Sequence, residues 1–470
     1  MRNNLNHAFL FDSWRWSEHR ELQTLYTRIW DELPKENCKT KTIESLRHHL
    51  KLFLCNLYVS YYYRKPVAIW VKSIQFSHGR YKALHLKRVP FMKIYAHLKT
   101  AGWIEHQTGY LPFSREDKER IFTGSVTRIW SSEKLEAEFS HWKDFLPEQT
   151  EQECIVLRNE KKEDIPFEET SFTRQLRNEL DCINRVFSSH YFSFNSSNDF
   201  TNLLINPFYK DKSSNSQSHS SSNSINTPLH TPSNSISSLR EPNAVFRRFL
   251  PRIKAVFSNG VFACGGRLYS AGIGDWQSMP QAQRNTIRID NCRTVELDFN
   301  AFHISILYAL EGRQITEDPY NAVAPYQLRP VVKKLLLTVL NASSIQEAIG
   351  SMRHQIFVLR NRPVLKERDL KFLRAYYRYY PDWLTLITRL GKAHPLIEKY
   401  FCSGAGIFLQ RIDSEIMRNV LLSLAARNIP SLPVHDSAIV PYFRADDLHR
   451  AMDNAYRKKF PGFFCGIESK

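Results

Sequence analysis

Asp298, in Val295-Glu296-Leu297-Asp298-Phe299, and Asp436, in Val434-His435-Asp436-Ser437, are the residues of this sequence best set for metal chemistry. The first follows the apolar alternation of a strand and precedes the helix-like run Phe302 to Leu310, so its carboxylate is expected where strand turns into helix. The second stands between Leu432-Pro433-Val434 and Ala438-Ile439-Val440, as at the tip of a tight hairpin. Two such carboxylates, brought together, hold two divalent ions about 4 Å apart that activate a hydroxyl and stabilise a leaving phosphate oxygen. A strand-end aspartate taken singly is a turn former or a helix cap. What gives this pair weight is the ordered company it keeps along the C-terminal half of the chain.

Between the two aspartates, Arg329, Lys333, Leu337 and Asn341 recur every fourth residue. On a helix they form one slowly drifting stripe with two cations at its N-terminal end, a grip suited to a triphosphate. The plain alternative is an amphipathic helix with a basic edge. Lys334 stands next to Lys333, and a shift of one residue would exchange them. Upstream of Asp298 come Gly265-Gly266-Arg267-Leu268-Tyr269-Ser270, Asp275-Trp276-Gln277-Ser278-Met279-Pro280 and Arg284-Asn285-Thr286-Ile287-Arg288, which by themselves read as a Gly-Gly turn and a polar loop. Downstream, Leu409, Ile412 and Ile416 give the apolar face of a helix that carries Gln410 and leads toward Asp436.

In this order the blocks resemble the family A DNA polymerases over residues 246–470. The resemblance implies an α+β fold, a reduced right-hand polymerase palm and fingers, with Asp298 and Asp436 holding two Mg²⁺ ions. It implies that Arg267 and Gln277 lie along the minor groove of a DNA primer-template, and that Gln410 and His435 contact the nucleic acid near the primer end. It also implies that Arg329 and Lys333 hold the phosphates of the incoming nucleoside triphosphate. Leu337 and Asn341 stand where the family has an aromatic residue and a tyrosine, so the phosphate grip carries over and the base-stacking end does not. His303 stands where the DNA-making members keep a glutamate that excludes a 2′-hydroxyl and the RNA-making relatives keep glycine. Its bulk obstructs a 2′-hydroxyl, and its ring nitrogens can also bond to one. Ser437 departs from the family's glutamate, and His-Asp-Ser is similar to the phage-type single-subunit RNA polymerases.

The chain has 470 residues, 42% of them hydrophobic, enough for two or three domains each with its own core. A net charge of +18 favours a polyanionic partner. Eight cysteines without a Cys-x-x-Cys pair point to neither a zinc ribbon nor a disulfide framework. The start lacks the apolar core of a signal peptide and no later stretch is long and apolar enough to span a bilayer, so a reduced, cytoplasmic protein without a membrane partner is expected.

After an N-terminal extension (1–39), residues 40–140 read as a helix-rich module ending in a hairpin. Phe91, Ile94, Tyr95 and Leu98 make a helix face that Gly102 ends, and strands follow from Trp103 and from Ser125. The layout resembles the winged-helix DNA-binding modules of plasmid replication initiators, with Lys93, Lys99 and Arg128 facing phosphate; a module that only docks is the alternative. Residues 141–212 form a connecting helical region, a possible thumb, and 213–240 a Ser/Asn-rich linker expected to be disordered. Residues 241–470 are the palm and fingers. The resulting expectation is a template-directed nucleotidyltransferase, a DNA polymerase acting in the replication of a mobile element. An RNA polymerase or primase of the single-subunit type, and a catalytically inactive initiator-like DNA-binding protein, are the alternatives.

Overall fold

The computed structural model describes residues 8–35, 39–77, 86–109, 126–142, 147–149, 153–196, 203–205, 246–272, 274–321, 323–362 and 364–470. The linker expected at 213–240, and Ser125 with the loop before it, lie outside the described residues. The chain divides into two compact units that interleave in sequence. Unit one is residues 1–190, 249–277 and 410–438, and unit two is residues 191–248, 278–409 and 439–470. Residues 241–470 are thus shared between both.

In chain order the elements that matter here are β1 (Phe9–Leu10), α1 (Arg20–Glu32), α2 (Thr40–Tyr63), β2 (Val67–Ile69), α3 (Arg88–Thr100), β3 (Ile104–Gln107), β4 (Thr127–Ser131) and α4 (Glu133–Phe139). There follow β5 (Ile155–Arg158), β6 (Asp164–Ile165), α5 (Ser171–Ser188), β7 (Phe192–Asn195), β8 (Phe246–Phe249), β9 (Ile253–Ser258), β10 (Val261–Ser270), β11 (Arg288–Ile289) and β12 (Cys292–Phe299). The rest are α6 (Phe302–Leu310), α7 (Arg329–Asn341), α8 (Ile345–Arg360), α9 (Glu367–Tyr379), α10 (Trp383–Ala393), α11 (Gly406–Ala425), β13 (Leu432–Val434), β14 (Ser437–Pro441), α12 (Ala445–Lys459) and β15 (Ile467–Ser469). This mixture of helices and sheets is an α+β fold. Among the described residues no helix is long and apolar enough to cross a membrane.

In unit one the N-terminal part is built around α2, whose middle is buried nearly all round. Phe53 of α2 packs on Phe11 and on Phe91 of α3, with ring centroids 5.0 and 4.8 Å apart. A sheet in the order β1-β2-β4-β3 completes this core. Phe91, Ile94 and Leu98 are the buried face of α3, and Gly102 takes the left-handed conformation, φ 70°, that ends it. Asn56 is fully buried, and its amide takes up Asp12 N–H, Arg15, Asp12 C=O and Leu52 C=O, four partners for its four bonding positions.

The second sheet of unit one runs β10-β9-β5-β6. Helix α5 carries a capping box at Thr170 and Thr173 and docks on β9, where the Asn184 side chain bonds both N–H and C=O of Ile253. Gly265 and Gly266 do not make the turn that their pairing suggests: they lie inside β10, at register shifts against Phe257 of β9. Gly266 sits at φ 86°, and a Cβ there would meet the Phe257 ring at 2.8 Å and Ser414 Oγ of α11 at 3.1 Å. The pair is a bulge that lets a strand lie close under a helix.

In unit two, a sheet in the order β8-β7-β11-β12-β14 also carries β15 on β12. Phe299 stacks on Phe302 at 4.3 Å, and both rings reach Tyr456 of α12, closing the core where β12 passes into α6. The other part is helical. Helix α7 buries Val331, Val332, Leu335, Leu336, Val339 and Leu340 among α8, α9 and α10.

Candidate functional site

Asp298 lies one residue before the end of β12, in register with Glu468 of β15. Its side chain is 13% exposed, and Oδ2 sits 2.9 Å from Lys470 Nζ. Residues 296 and 298 share one face of the strand. Glu296, nearly buried, takes Arg284 through two bonds of 2.8 and 3.0 Å, and Lys470 stands 3.7 Å from it. Arg284 lies on the short helix Gln281–Arg284. Alternating carboxylates on β12 are thus answered by cations from both sides. Lys470 carries no motif in the sequence; only the antiparallel register of β15 on β12 brings it here. His303 stands in the first turn of α6, half-buried.

The cations of α7 divide between two directions. Arg329 Nε donates to Asp318 Oδ2 at 2.8 Å, and its guanidinium stands 5.0 Å from the Tyr320 ring centre. Lys333 Nζ is 5.9 Å from the same ring, and Asp318 Oδ1 accepts from Tyr320 N–H. Lys334 faces α9 instead, 3.8 Å from Asp369 and over the Phe372 ring. Burial pulls its pKa down despite Asp369. Arg329 and Lys333 therefore face the same ring, and Lys334 packs against α9. Leu337 is exposed. Asn341 donates to Leu337 C=O and lies so close to Gly406, at the start of α11, that a Cβ there would fall 2.0 Å from its Oδ1.

In unit one, Arg267 of β10 meets Asp413 of α11 through Nη2–Oδ2 at 2.6 Å and Nε–Oδ2 at 3.2 Å. Burial works to lower the Arg267 pKa, but Asp413 foremost, and Asp436 after it, raise it, and the net shift is upward. Sequence reading missed Asp413, since nothing local marks it as the counter-ion of a residue so far upstream. Gln277 is held by the backbone: Oε1 accepts from Ser270 N–H, and Nε2 donates to Leu268 C=O and Pro433 C=O. Trp276, fully buried, also donates to Pro433 C=O at 2.8 Å. Together they fix the strand that enters the two-residue turn His435–Asp436. His435 has φ 59°, is exposed, and its ring centre lies 6.2 Å from that of Tyr269. Asp436 is half-buried, and Ser437, fully buried, donates to Val434 C=O. Gln410 is half-buried near the start of α11.

In the N-terminal part of unit one, Lys99 is exposed and Lys93 half-buried on α3, while Arg128 lies on β4 opposite Gln107 of β3. Among the described residues no group of three or more His, Cys, Asp or Glu side chains gathers as a metal cage.

No family model matches this chain, and no curated protein matches it. Among solved structures it is similar to the POL domain of Pol1 from M. smegmatis, in complex with DNA primer-template and dNTP. The two share 9% sequence identity over 47% of each chain, at a TM-score of 0.24, a superposition too loose to bear on either fold or function.

Proposed function

We propose that this chain is a template-directed nucleotidyltransferase with a reduced family A type palm and fingers, a DNA polymerase serving the replication of a mobile element. One observation carries the reading: Asp298 lies one residue before the end of the sheet strand β12, and Asp436 lies in the two-residue turn that leads into β14. The two carboxylates would hold two Mg²⁺ ions. Mg²⁺ takes one or two carboxylates and completes its shell with substrate phosphates and water. The donor chemistry fits, and the Lys470 ammonium at Asp298 Oδ2 marks an oxygen that already receives a cation. When bound, the metal supplies an activated hydroxyl and neutralises charge on the leaving phosphate.

Arg329 and Lys333 bind the triphosphate; Asp318 engages only Nε of the five-donor Arg329 fork, and Tyr320 aligns both cations. Arg267, Gln410 and His435 position primer and template, and Gln277 contributes through its hold on the hairpin. Lys334, Leu337 and Asn341 shape the helix behind the nucleotide. Lys93, Lys99 and Arg128 bring duplex DNA to a winged-helix-like module, and the pairing of such a module with a polymerase supports the mobile-element setting. A second reading, an RNA polymerase or primase, is favoured by His435-Asp436-Ser437 and by His303 at the sugar position.

Primer extension with deoxynucleotides and ribonucleotides supplied separately decides between them. Wild type should prefer deoxynucleotides, and His303→Gly should raise relative ribonucleotide use by about 10- to 200-fold. A wild-type enzyme that already prefers ribonucleotides establishes the second reading.

A further inference from the structure

Helix α9 ends in Arg374-Ala375-Tyr376-Tyr377-Arg378-Tyr379-Tyr380, a run that the proposed catalysis leaves unused. Its inner side is anchored: Tyr376 lies flat on the buried Trp383, ring centres 5.5 Å and planes 1° apart. Tyr380 rests against both Tyr376 and Tyr377 at 5.8 Å. Its outer side is open, with Tyr379 38% and Tyr380 67% exposed, and the Arg378 guanidinium stands 5.6 Å from the Tyr379 ring centre.

Two further features single this end out. Tyr380 is held at φ 39°, a left-handed helix cap where glycine is the ordinary residue, so a large exposed ring is kept where the backbone disfavours it. From Arg353 to Lys392 there are ten arginines and lysines against three carboxylates. Those three are engaged, Glu367 with Lys371, Asp369 with Lys334 and Arg368, and Asp382 as the cap of α10. The surplus along this stretch is positive.

We propose that the C-terminal end of α9 is a stacking platform for single-stranded nucleic acid, with Tyr379 and Tyr380 taking the faces of unpaired bases and Arg374 and Arg378 the phosphates. Aromatic faces beside cations are what a single strand offers partners for, whereas a duplex keeps its base faces covered. A protein partner would use the rings and leave the positive surplus unanswered. The inference stands apart from the catalytic reading, because it requires neither metal nor nucleotide.

The test is fluorescence anisotropy of the full chain with a labelled mixed-sequence DNA strand of about 20 nucleotides, and with the blunt duplex of the same length, without metal or nucleotide. Tyr380→Gly removes the ring and suits the left-handed backbone, and Tyr380→Asn is the second variant, since Asn also tolerates that conformation. Both should lower single-strand affinity roughly 5- to 100-fold, the scale of one lost stack, while duplex affinity and Tm hold and Tyr380→Phe retains binding. Unchanged single-strand affinity in the folded variants, or an equal loss on the duplex, overturns the platform.

Discussion

Asp413 has a side chain only 3% exposed and meets Arg267 at 2.6 Å, so removing one partner costs more than it would at a surface pair. Removing the cation leaves a carboxylate stranded in the interior. Arg267→Ala is therefore expected to lower unfolding free energy by about 3 kcal/mol. Asp413→Asn, which keeps the shape and drops the charge, should cost less, and urea denaturation of the two variants and their double mutant measures the coupling. Single-variant losses that simply add in the double mutant would show that the two side chains are not coupled. This pair also marks where residue-level reading of the sequence stops. Arg267 stood out because a recognisable block surrounds it; Asp413 and Lys470 did not, because each owes its place to a partner remote in sequence. A charge has no local periodicity to betray which distant strand or helix will neutralise it.

At the scale of elements, periodicity served well. The runs that predict helices from Phe302 to Leu310 and along the Arg329–Asn341 stripe form α6 and α7, and the tight turn at Asp436 is present. The glycine pair was misread because a bulge and a turn ask the same of the backbone; only the helix packed over the strand distinguishes them. Helix α3 adds a pH dependence that no motif announces. His49 is buried in α2, with Nδ1 bonded to Ser45 C=O at 2.6 Å and Nε2 accepting from the N–H of Lys87, the cap residue of α3. Burial foremost pushes its pKa down to about 4 from the usual 6.5. A depressed folded pKa means that the unfolded chain binds the proton first, so the stability held above about pH 6.5 is lost as pH falls toward 4. The loss reaches at most about 3 kcal/mol. His49→Gln should flatten this part of the profile in urea titrations across pH; an unchanged slope would mean that other groups carry the acid sensitivity.

For the whole molecule, the chain divides into two units that interleave in sequence. Composition and charge change along the sequence, but a unit is defined by which segments bury their apolar faces together, and the chain enters each unit three times. The central claim of the proposed function is that nucleotide incorporation needs both Asp298 and Asp436. It is tested most directly by primer extension at fixed Mg²⁺ with Asp298→Asn and Asp436→Asn, each measured beside wild type and beside its affinity for the same primed duplex. The account predicts that each variant loses roughly 10³-fold or more of incorporation, about 4 kcal/mol of transition-state stabilisation, while duplex affinity stays within about twofold. Incorporation within about tenfold of wild type in either variant would contradict it.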